Sequence, residues 1–203
     1  MTDQFSLFAA APAVPEGLVY AADFLSLEEE MDLVGQCRLL DFRPFEFRGF
    51  LGKRRTVSYG RHYDFNRGGL RAADEIPRFL LPLRARAEGF AGLTAGALQH
   101  VLVIEYAPGS GIGWHRDRPV FGDVVGVSLL APCTLRFRRR RGEGWERLPL
   151  TAERRSAYLL RGPARGEWEH SIPAVDALRY SITFRSLRDP TRLSCRRCAR
   201  RSG

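Results

Sequence analysis

The chain changes texture at about residue 100. From there to about residue 187, short β-rich runs follow one another, separated by Gly and Pro: HVLVIEY, VVGVSLL, CTLRFRR, WERLPL, SAYLLRG and RYSITFR. No helical period runs between them, which predicts six or more strands in a β-sandwich or barrel. The pattern before residue 100 is different. In SLEEEMDLVGQCRLL, Leu27, Met31, Val34 and Cys37 recur at helical spacing, and Ser26 with Glu29 makes a capping-box signature. The stretch predicts an amphipathic helix with those four residues on one face. IPRFLLPLRARAEGF predicts a second helix, with Pro82 marking its start or a kink. Between them FRPFEFRGFLGKRRTVSYG alternates aromatic and basic residues and reads as strands or a long loop.

The ends look different again. Residues 1–16, with Pro12 and Pro15 among alanines, read as a flexible arm, and residues 188–203 as a basic tail, leaving 17–187 as one domain. No internal repeat is visible. No apolar run reaches the ~18–20 residues of a membrane span, and the N-terminus lacks the basic start and long apolar stretch of a signal peptide. Four scattered cysteines fit a reducing compartment better than a disulfide framework. A cytoplasmic monomer is the expectation. Net charge is +9, which draws a protein to polyanions, nucleic acid above all. Of the 32 basic residues only Lys53 is a lysine, and such arginine bias also follows from GC-rich coding. Charge alone therefore leaves the partner open.

The candidate chemistry begins at GIGWHRDRP. His115 and Asp117 are two apart, and on an extended strand such residues point to the same side. One further histidine would complete a 2-His-1-carboxylate facial triad for Fe(II). The chain has four histidines, and His170, in GEWEHSIP at the end of a strand-like run, is the candidate. His100 opens an apolar strand and reads as structural. An isolated H-x-D is common by chance, so the third element matters. RYSITFR places Arg179, Ser181, Thr183 and Arg185 on one side by the two-residue period. An arginine pair inside a barrel is costly unless it meets anions, and a dicarboxylate would supply them in two-pronged geometry. The alternative is an exposed polar face, and Tyr180, Ile182 and Phe184 do not decide between the two.

Together, H-x-D, a distal His and R-x-S-x-T-x-R resemble the AlkB-like family of Fe(II)/2-oxoglutarate dioxygenases, over roughly residues 50–187. EYAPG, Glu105 to Gly109, resembles the segment before that family's metal motif. The resemblance implies a mainly β double-stranded β-helix, or jelly roll, with its core at about 100–187 and the N-terminal helices packed on one sheet. It implies Fe(II) bound by His115, Asp117 and His170. Arg179 and Arg185 would take the two ends of 2-oxoglutarate, with Ser181, Thr183 and Tyr106 lining that site, and O2 would be the oxidant. Ser181 stands where the family usually has Asn, and Ile104 where repair members often have Asn. Arg118, Pro119 and Val120 follow Asp117 where several repair members carry an acidic base contact.

The implied activity is oxidative removal of N-alkyl groups from bases of alkylated DNA or RNA. The alternatives are the same chemistry on tRNA, other RNA or a protein side chain, or a non-catalytic barrel that binds nucleic acid through its arginines. GKRRTVSYG is similar to the family's substrate lid, here about 45–65. Lys53, Arg54 and Arg55 would hold phosphates, Tyr59 would stack on a flipped base, and Phe50 or Leu51 would act as a wedge. A solvated loop with Tyr59 in the core accounts for the same residues equally well. Trp114 and Trp168 flank the metal residues as walls, with Trp114 also a candidate substrate contact. RFRRRRGEG, Arg136 to Gly144, reads as a basic hairpin, either touching a nucleic-acid backbone or simply solvated. Cys195-x-x-Cys198 is half a zinc site without a second pair. QFSLF resembles the peptide that holds the bacterial β sliding clamp, with Gln4 for a hydrogen bond and Leu7 and Phe8 for an apolar pocket.

Overall fold

Among the described residues, twelve strands and three helices follow one another. In the structure, a computed structural model, the described residues are 14–47, 50–64, 69–72 and 74–188, with the side chains at 47, 50, 51, 62–64 and 69–72 excepted. The arm residues Gln4, Leu7 and Phe8, the Phe50 and Leu51 side chains, and Cys195 and Cys198 lie outside the described residues. The elements are β1 (Leu18–Ala21), α1 (Leu27–Cys37), β2 (Arg43–Phe47), β3 (Phe50–Asp64), β4 (Gly69–Ala72), a 3-10 turn (Arg78–Leu80) and α2 (Leu81–Phe90). Then come β5 (Leu98–Tyr106), β6 (Ile112–His115), β7 (Phe121–Leu129), β8 (Cys133–Arg141), β9 (Gly144–Ala152), β10 (Ala157–Leu160), α3 (Gly162–Gly166), β11 (Glu169–Ile172) and β12 (Arg179–Leu187).

Two antiparallel sheets face each other. The larger runs β1-β10-β7-β12-β5-β3-β2, with β4 paired to β3, and the smaller runs β6-β11-β8-β9. From β5 onward the chain passes between the sheets, with β5, β7, β10 and β12 in one and β6, β8, β9 and β11 in the other. That winding is a double-stranded β-helix, as expected. The helices cover the outer side of the larger sheet. Leu33, Val34 and Cys37 of α1 and Leu83 and Ala87 of α2 share a core with Val101, Val103, Val125, Val127, Ile182 and Phe184. A second core, with Ile104, Tyr106, Leu135, Phe137, Trp168 and Ile172, lies between the sheets.

The capping box forms as read: Ser26 Oγ accepts from Glu29 N at 3.1 Å, and Glu29 Oε2 accepts from Ser26 N at 2.9 Å. The buried stripe of α1 is a correction. Leu27 and Met31 are 55% and 65% exposed, while Glu30 is 1% exposed beside Leu33, Val34 and Cys37. Glu30 turns inward because it has two partners there: its Oε1 accepts the Leu130 N–H at 2.8 Å, and its carboxylate pairs with Arg154. Pro82 sits in the first turn of α2, where its missing N–H costs nothing. The expected lid is partly sheet. Residues 55–60 of β3 pair with β5, and the hairpin of β2 with the first residues of β3 extends from them.

Candidate active site between the two sheets

β12 carries the site because both its faces are buried. Tyr180, Ile182 and Phe184 point to the helices, and Arg179, Ser181, Thr183 and Arg185 point between the sheets, at 1%, 4%, 5% and 8% exposure. The question the alternation left open is therefore answered by tertiary context: neither face is solvent. Across the ladder the polar residues of β12 meet Tyr106, Ile104, Leu102 and His100 of β5.

The two histidines arrive from the opposite sheet. His115 ends β6 and pairs in register with His170 on β11, so the ring centroids stand 4.2 Å apart. A register shift between His170 and Ile172 lets Ile112 and His115 both face inward although they are three residues apart. Gly111 permits that approach, since a Cβ there would meet the Ile172 carbonyl oxygen at 2.6 Å. His115 Nδ1 lies 2.9 Å from the Gly113 carbonyl. A carbonyl only accepts, so Nδ1 carries the proton and Nε2 keeps its lone pair. Burial, followed by the neighbouring His115, pushes the His170 imidazole down to about 3, and burial lowers His115 as well. Both rings are therefore neutral at ordinary pH, the form that ligates metal.

Asp117 is not on a strand, a correction to the i, i+2 argument: β6 stops at His115 and the carboxylate stands on the loop beyond. Arg165 of α3, 5% exposed, holds that loop, with Nη2 donating to the carbonyls of Phe121, at 3.0 Å, and Arg118. Arg185 Nε donates to Asp117 Oδ1 at 3.0 Å, with Nη2 ion-paired to the same oxygen at 2.9 Å, which leaves Oδ2 toward His170 Nε2, 4.0 Å away. Burial alone would raise the Asp117 carboxyl. The positive charges beside it, Arg185 first, outweigh it and hold the group well below the usual carboxylate range. Among the described residues no three His, Cys, Asp or Glu side chains close at coordination distance, because Asp117 is turned onto Arg185. The donor chemistry nevertheless suits Fe(II): two neutral imidazoles and one ionised carboxylate on one side of a pocket.

A second polar centre lies along β12. Arg179 Nη2 donates to Ser128 Oγ at 2.8 Å, while its buried Nε and Nη1 have no hydrogen-bond partner among the described residues. Its guanidinium stands 4.9 Å from the Tyr106 ring, and Ser181 and Thr183 hydroxyls are 3.5 Å apart beside it. A buried guanidinium with two unmet donors fits a ligand carboxylate. Tyr158 closes the pocket by lying on Gly126, where any Cβ would come within 2.2 Å of its Cζ.

Sequence reasoning missed Arg165, Ser128 and the Tyr158–Gly126 contact. Alternation along AYLL pairs Tyr158 with Leu160 on one face and would have flagged the tyrosine. Nothing local marks Arg165, whose five-residue helix has no periodicity to read. His100 sits within the pocket wall, its Nδ1 3.4 Å from Arg185 Nη1 and its ring 4.9 Å from Phe121.

The expected substrate contacts divide by strand face. Arg54 turns inward, stacked 3.8 Å over Phe45, and its charge reaches Tyr106 and His115. Arg55 turns outward, its Nε donating to Glu105 at 2.7 Å, and Tyr59 packs against the helix-side core. Arg55 is thus engaged on the helix side, and Tyr59 takes the core position that was the alternative reading of this stretch. Lys53 is exposed. Trp114 faces away from the pocket, between Arg136 and Arg138 on the outside of the smaller sheet. Trp168 is a wall, 2% exposed.

A double-stranded β-helix with two facing histidines, an aspartate and a buried arginine pair defines an oxygenase scaffold. The sequence profile of the 2OG-Fe(II) oxygenase superfamily matches residues 17–185, and the chain belongs to that superfamily; its curated relatives include AlkB homologues. The chemistry of that superfamily uses Fe(II), 2-oxoglutarate and O2. Among curated relatives, an "Alkylated DNA repair protein ALKBH8 homolog" from Arabidopsis thaliana is 29% identical over 85% of this chain and 56% of its own length. The human "Alpha-ketoglutarate-dependent dioxygenase alkB homolog 4" is 27% identical over 84% of this chain and 67% of its own. The chain thus spans little more than half of the plant relative. Two solved structures share the fold. OsALKBH1 has a TM-score of 0.60 at 16% identity, covering 89% of this chain and 100% of that one. A Pseudomonas putida prolyl-4-hydroxylase has a TM-score of 0.57 at 17% identity, covering 85% and 93%. Among the described residues no helix is long and apolar enough to cross a membrane.

Proposed function

We propose that this chain removes N-alkyl groups from nucleic-acid bases, with His115, Asp117 and His170 holding Fe(II), and with Arg179 and Arg185 holding 2-oxoglutarate. The observation that carries the site assignment is the pairing of a neutral His115–His170 couple with the buried, half-satisfied guanidinium of Arg179. When bound, iron and 2-oxoglutarate supply the activation of O2 for attack on a substrate C–H bond. The protein's own residues set the stage. Gly113 O fixes the His115 tautomer, so that Nε2 keeps the lone pair with which it would hold the metal. Arg185 keeps Asp117 ionised and aims its free oxygen toward His170. Arg179 and Tyr106 would receive a carboxylate of 2-oxoglutarate, with Ser128, Ser181 and Thr183 beside them. The two sheets exclude water from the reacting centre. The overall reaction consumes 2-oxoglutarate and O2 and yields succinate, CO2, formaldehyde and the restored base.

Nucleic acid as the substrate is supported by the net charge of +9, by Arg54 at the pocket wall and by the DNA-repair description of the plant relative. The test is anaerobic reconstitution with Fe(II), then turnover with methylated single-stranded DNA, RNA and duplex in parallel, read by mass spectrometry. Loss of methyl groups with formaldehyde release is expected, abolished by His115→Ala, Asp117→Ala or His170→Ala. Turnover of a peptide alone would refute the substrate class, and full activity in His170→Ala would refute the ligand set. The clamp contact of Gln4, Leu7 and Phe8 belongs to the same proposal. A peptide of residues 1–16 should bind a purified bacterial clamp and lose binding on Leu7→Ala/Phe8→Ala substitution.

A further inference from the structure

The strands that carry the two histidines have a second side. On the outer face of the smaller sheet, arginines and tryptophans alternate in a row: Arg136, Trp114, Arg138, Trp145, Arg140. The Arg136 and Arg138 guanidinium carbons stand 5.2 and 4.4 Å from the Trp114 ring, and those of Arg138 and Arg140 stand 4.3 and 5.1 Å from the Trp145 ring. Strand register produces the row. Arg136, Arg138 and Arg140 are alternate residues of β8, and they pair with Pro149, Arg147 and Trp145 of β9. Arg136 and Arg138 also pair with Ser171 and Glu169 of β11. Arg139 belongs to the other face, against Trp168 and the carboxylates of Glu146 and Glu167. The run of four arginines from Arg138 to Arg141 is thus split by the pleat, and only part of it belongs to this surface.

The row is held in place from below. Arg136 Nε donates to Ser171 Oγ at 3.1 Å, Arg138 Nε to Glu169 at 2.7 Å, and Arg140 Nη1 to the Glu143 carbonyl at 3.0 Å. Each of these is one contact from a five-donor group, and Arg136 and Arg140 remain exposed. Among the described residues Glu169 is the carboxylate paired within the row, and it is shared with Arg116. With Arg147 on the same face, the surface carries a clear excess of positive charge.

We infer that this face is a docking track for the sugar–phosphate backbone of single-stranded nucleic acid, an inference that rests on the proposed nucleic-acid substrate. Alternate residues of a strand stand about 6.8 Å apart, so the three arginines present cations in regular steps along one line. The indoles fix the guanidinium planes, so less side-chain entropy is lost when a phosphate binds. A nucleic-acid strand alternates anionic phosphates with flat bases and so matches a row that alternates cations with π surfaces. An acidic peptide matches only the cations. The location couples the track to the pocket. Trp114 immediately precedes His115 on β6, the edge strand of its sheet, and Glu169 immediately precedes His170. A backbone lying across the track and bending around the β6 edge can place one nucleotide at the pocket mouth while its neighbours stay bound outside.

The experiment measures equilibrium binding of unmodified 16-nucleotide single-stranded DNA and RNA to the full chain across a salt series. It compares the wild type with Arg136→Gln/Arg140→Gln and with Arg38→Gln/Arg78→Gln, which removes equal charge on the helix side. The first pair should bind more weakly, with the slope of log K against log salt shallower by about 1.4, since each lost phosphate contact removes about 0.7 for single strands. The control pair should keep the wild-type slope, and unfolding midpoints should agree among all three proteins. Equal slopes in the first pair and the wild type overturn the track. So does an equal reduction by the control pair, which would mean that general charge is responsible. Binding of poly-glutamate as tight as that of the oligonucleotides, and equally sensitive to the first pair, also overturns it. Strand binding is read without turnover, so the two proposals fail separately. Dealkylation of a single methylated nucleoside without strand binding removes the track alone. Strand binding with no dealkylation of any nucleic acid removes the proposed substrate alone.

Discussion

Replacing Arg179 by methionine should move stability and co-substrate affinity in opposite directions. The guanidinium is 1% exposed, has Ser128 Oγ as its hydrogen-bond acceptor, and leaves Nε and Nη1 unmatched. In the absence of 2-oxoglutarate it is therefore a poorly compensated buried charge. Substituting well-packed apolar residues for buried ionic groups is often neutral or stabilising by about 1–4 kcal/mol. Methionine follows the same stem, so the ligand-free variant should be at least as stable as the wild type. With co-substrate the sign reverses. Removing one partner of a buried, charge-assisted pair costs roughly 2–5 kcal/mol, a loss of roughly 30-fold to several thousand-fold in affinity. At a ligand concentration 100 times its Kd the wild type gains about 2.7 kcal/mol of stability, of which the variant should keep at most about 0.9 kcal/mol at the same concentration. The assay is thermal unfolding with and without 2-oxoglutarate, under anaerobic conditions with a divalent metal present, alongside calorimetric titration. A variant that is strongly destabilised without ligand, or that keeps wild-type affinity, would refute the carboxylate assignment.

Three further outcomes follow from packing and charge. Gly126→Ala forces a Cβ to within 2.2 Å of Tyr158 Cζ and should cost about 1–3 kcal/mol in urea unfolding. Adding Tyr158→Leu should recover part of that, and strict additivity of the two changes would show that the ring does not occupy that space. Glu30→Ala leaves the Leu130 N–H without its acceptor and should cost about 1–3 kcal/mol, with Glu30→Gln milder; equal, negligible effects would remove Glu30 as the tie between α1 and the sheet. In metal-free protein, stability should fall as pH drops from about 6.5 toward 3. The unfolded imidazole binds a proton in that window while buried His170, lowered to about 3, does not. His170 adds a slope of at most about 1.4 kcal/mol per pH unit, His115 adds to it in the same direction, Asp117 contributes further loss only below its unfolded value near 4, and His170→Gln should make the slope shallower by the His170 share. An unchanged slope in that variant would place the acid sensitivity elsewhere.

Local rules explain what was legible in the sequence. The capping box depends on residues three apart, and the period-two pattern of RYSITFR depends on one strand, so both could be read without knowing the neighbours. Arg179, Ser181, Thr183 and Arg185 do share one side. The strand content after residue 100 and the double-stranded β-helix suggested by the motifs are likewise present.

What remained hidden depended on partners far along the chain. Leu27 and Met31 read as core, yet Glu30 is buried in their stead because Arg154 and the Leu130 N–H await it from 124 and 100 residues away. Arg55 and Tyr59 read equally well as lid residues or as solvated loop and core; β3 pairs with β5 over that stretch and turns them toward Glu105 and the helix-side core. Asp117 reaches the site from a loop that Arg165 secures, although the H-x-D spacing suggested a strand. The chain alone determined which residues could do chemistry and which lay on a common strand face. Only the tertiary structure decided which face met the other sheet and which met the helices, because a strand's alternation defines two sides and only the packing of distant elements gives each side its surroundings.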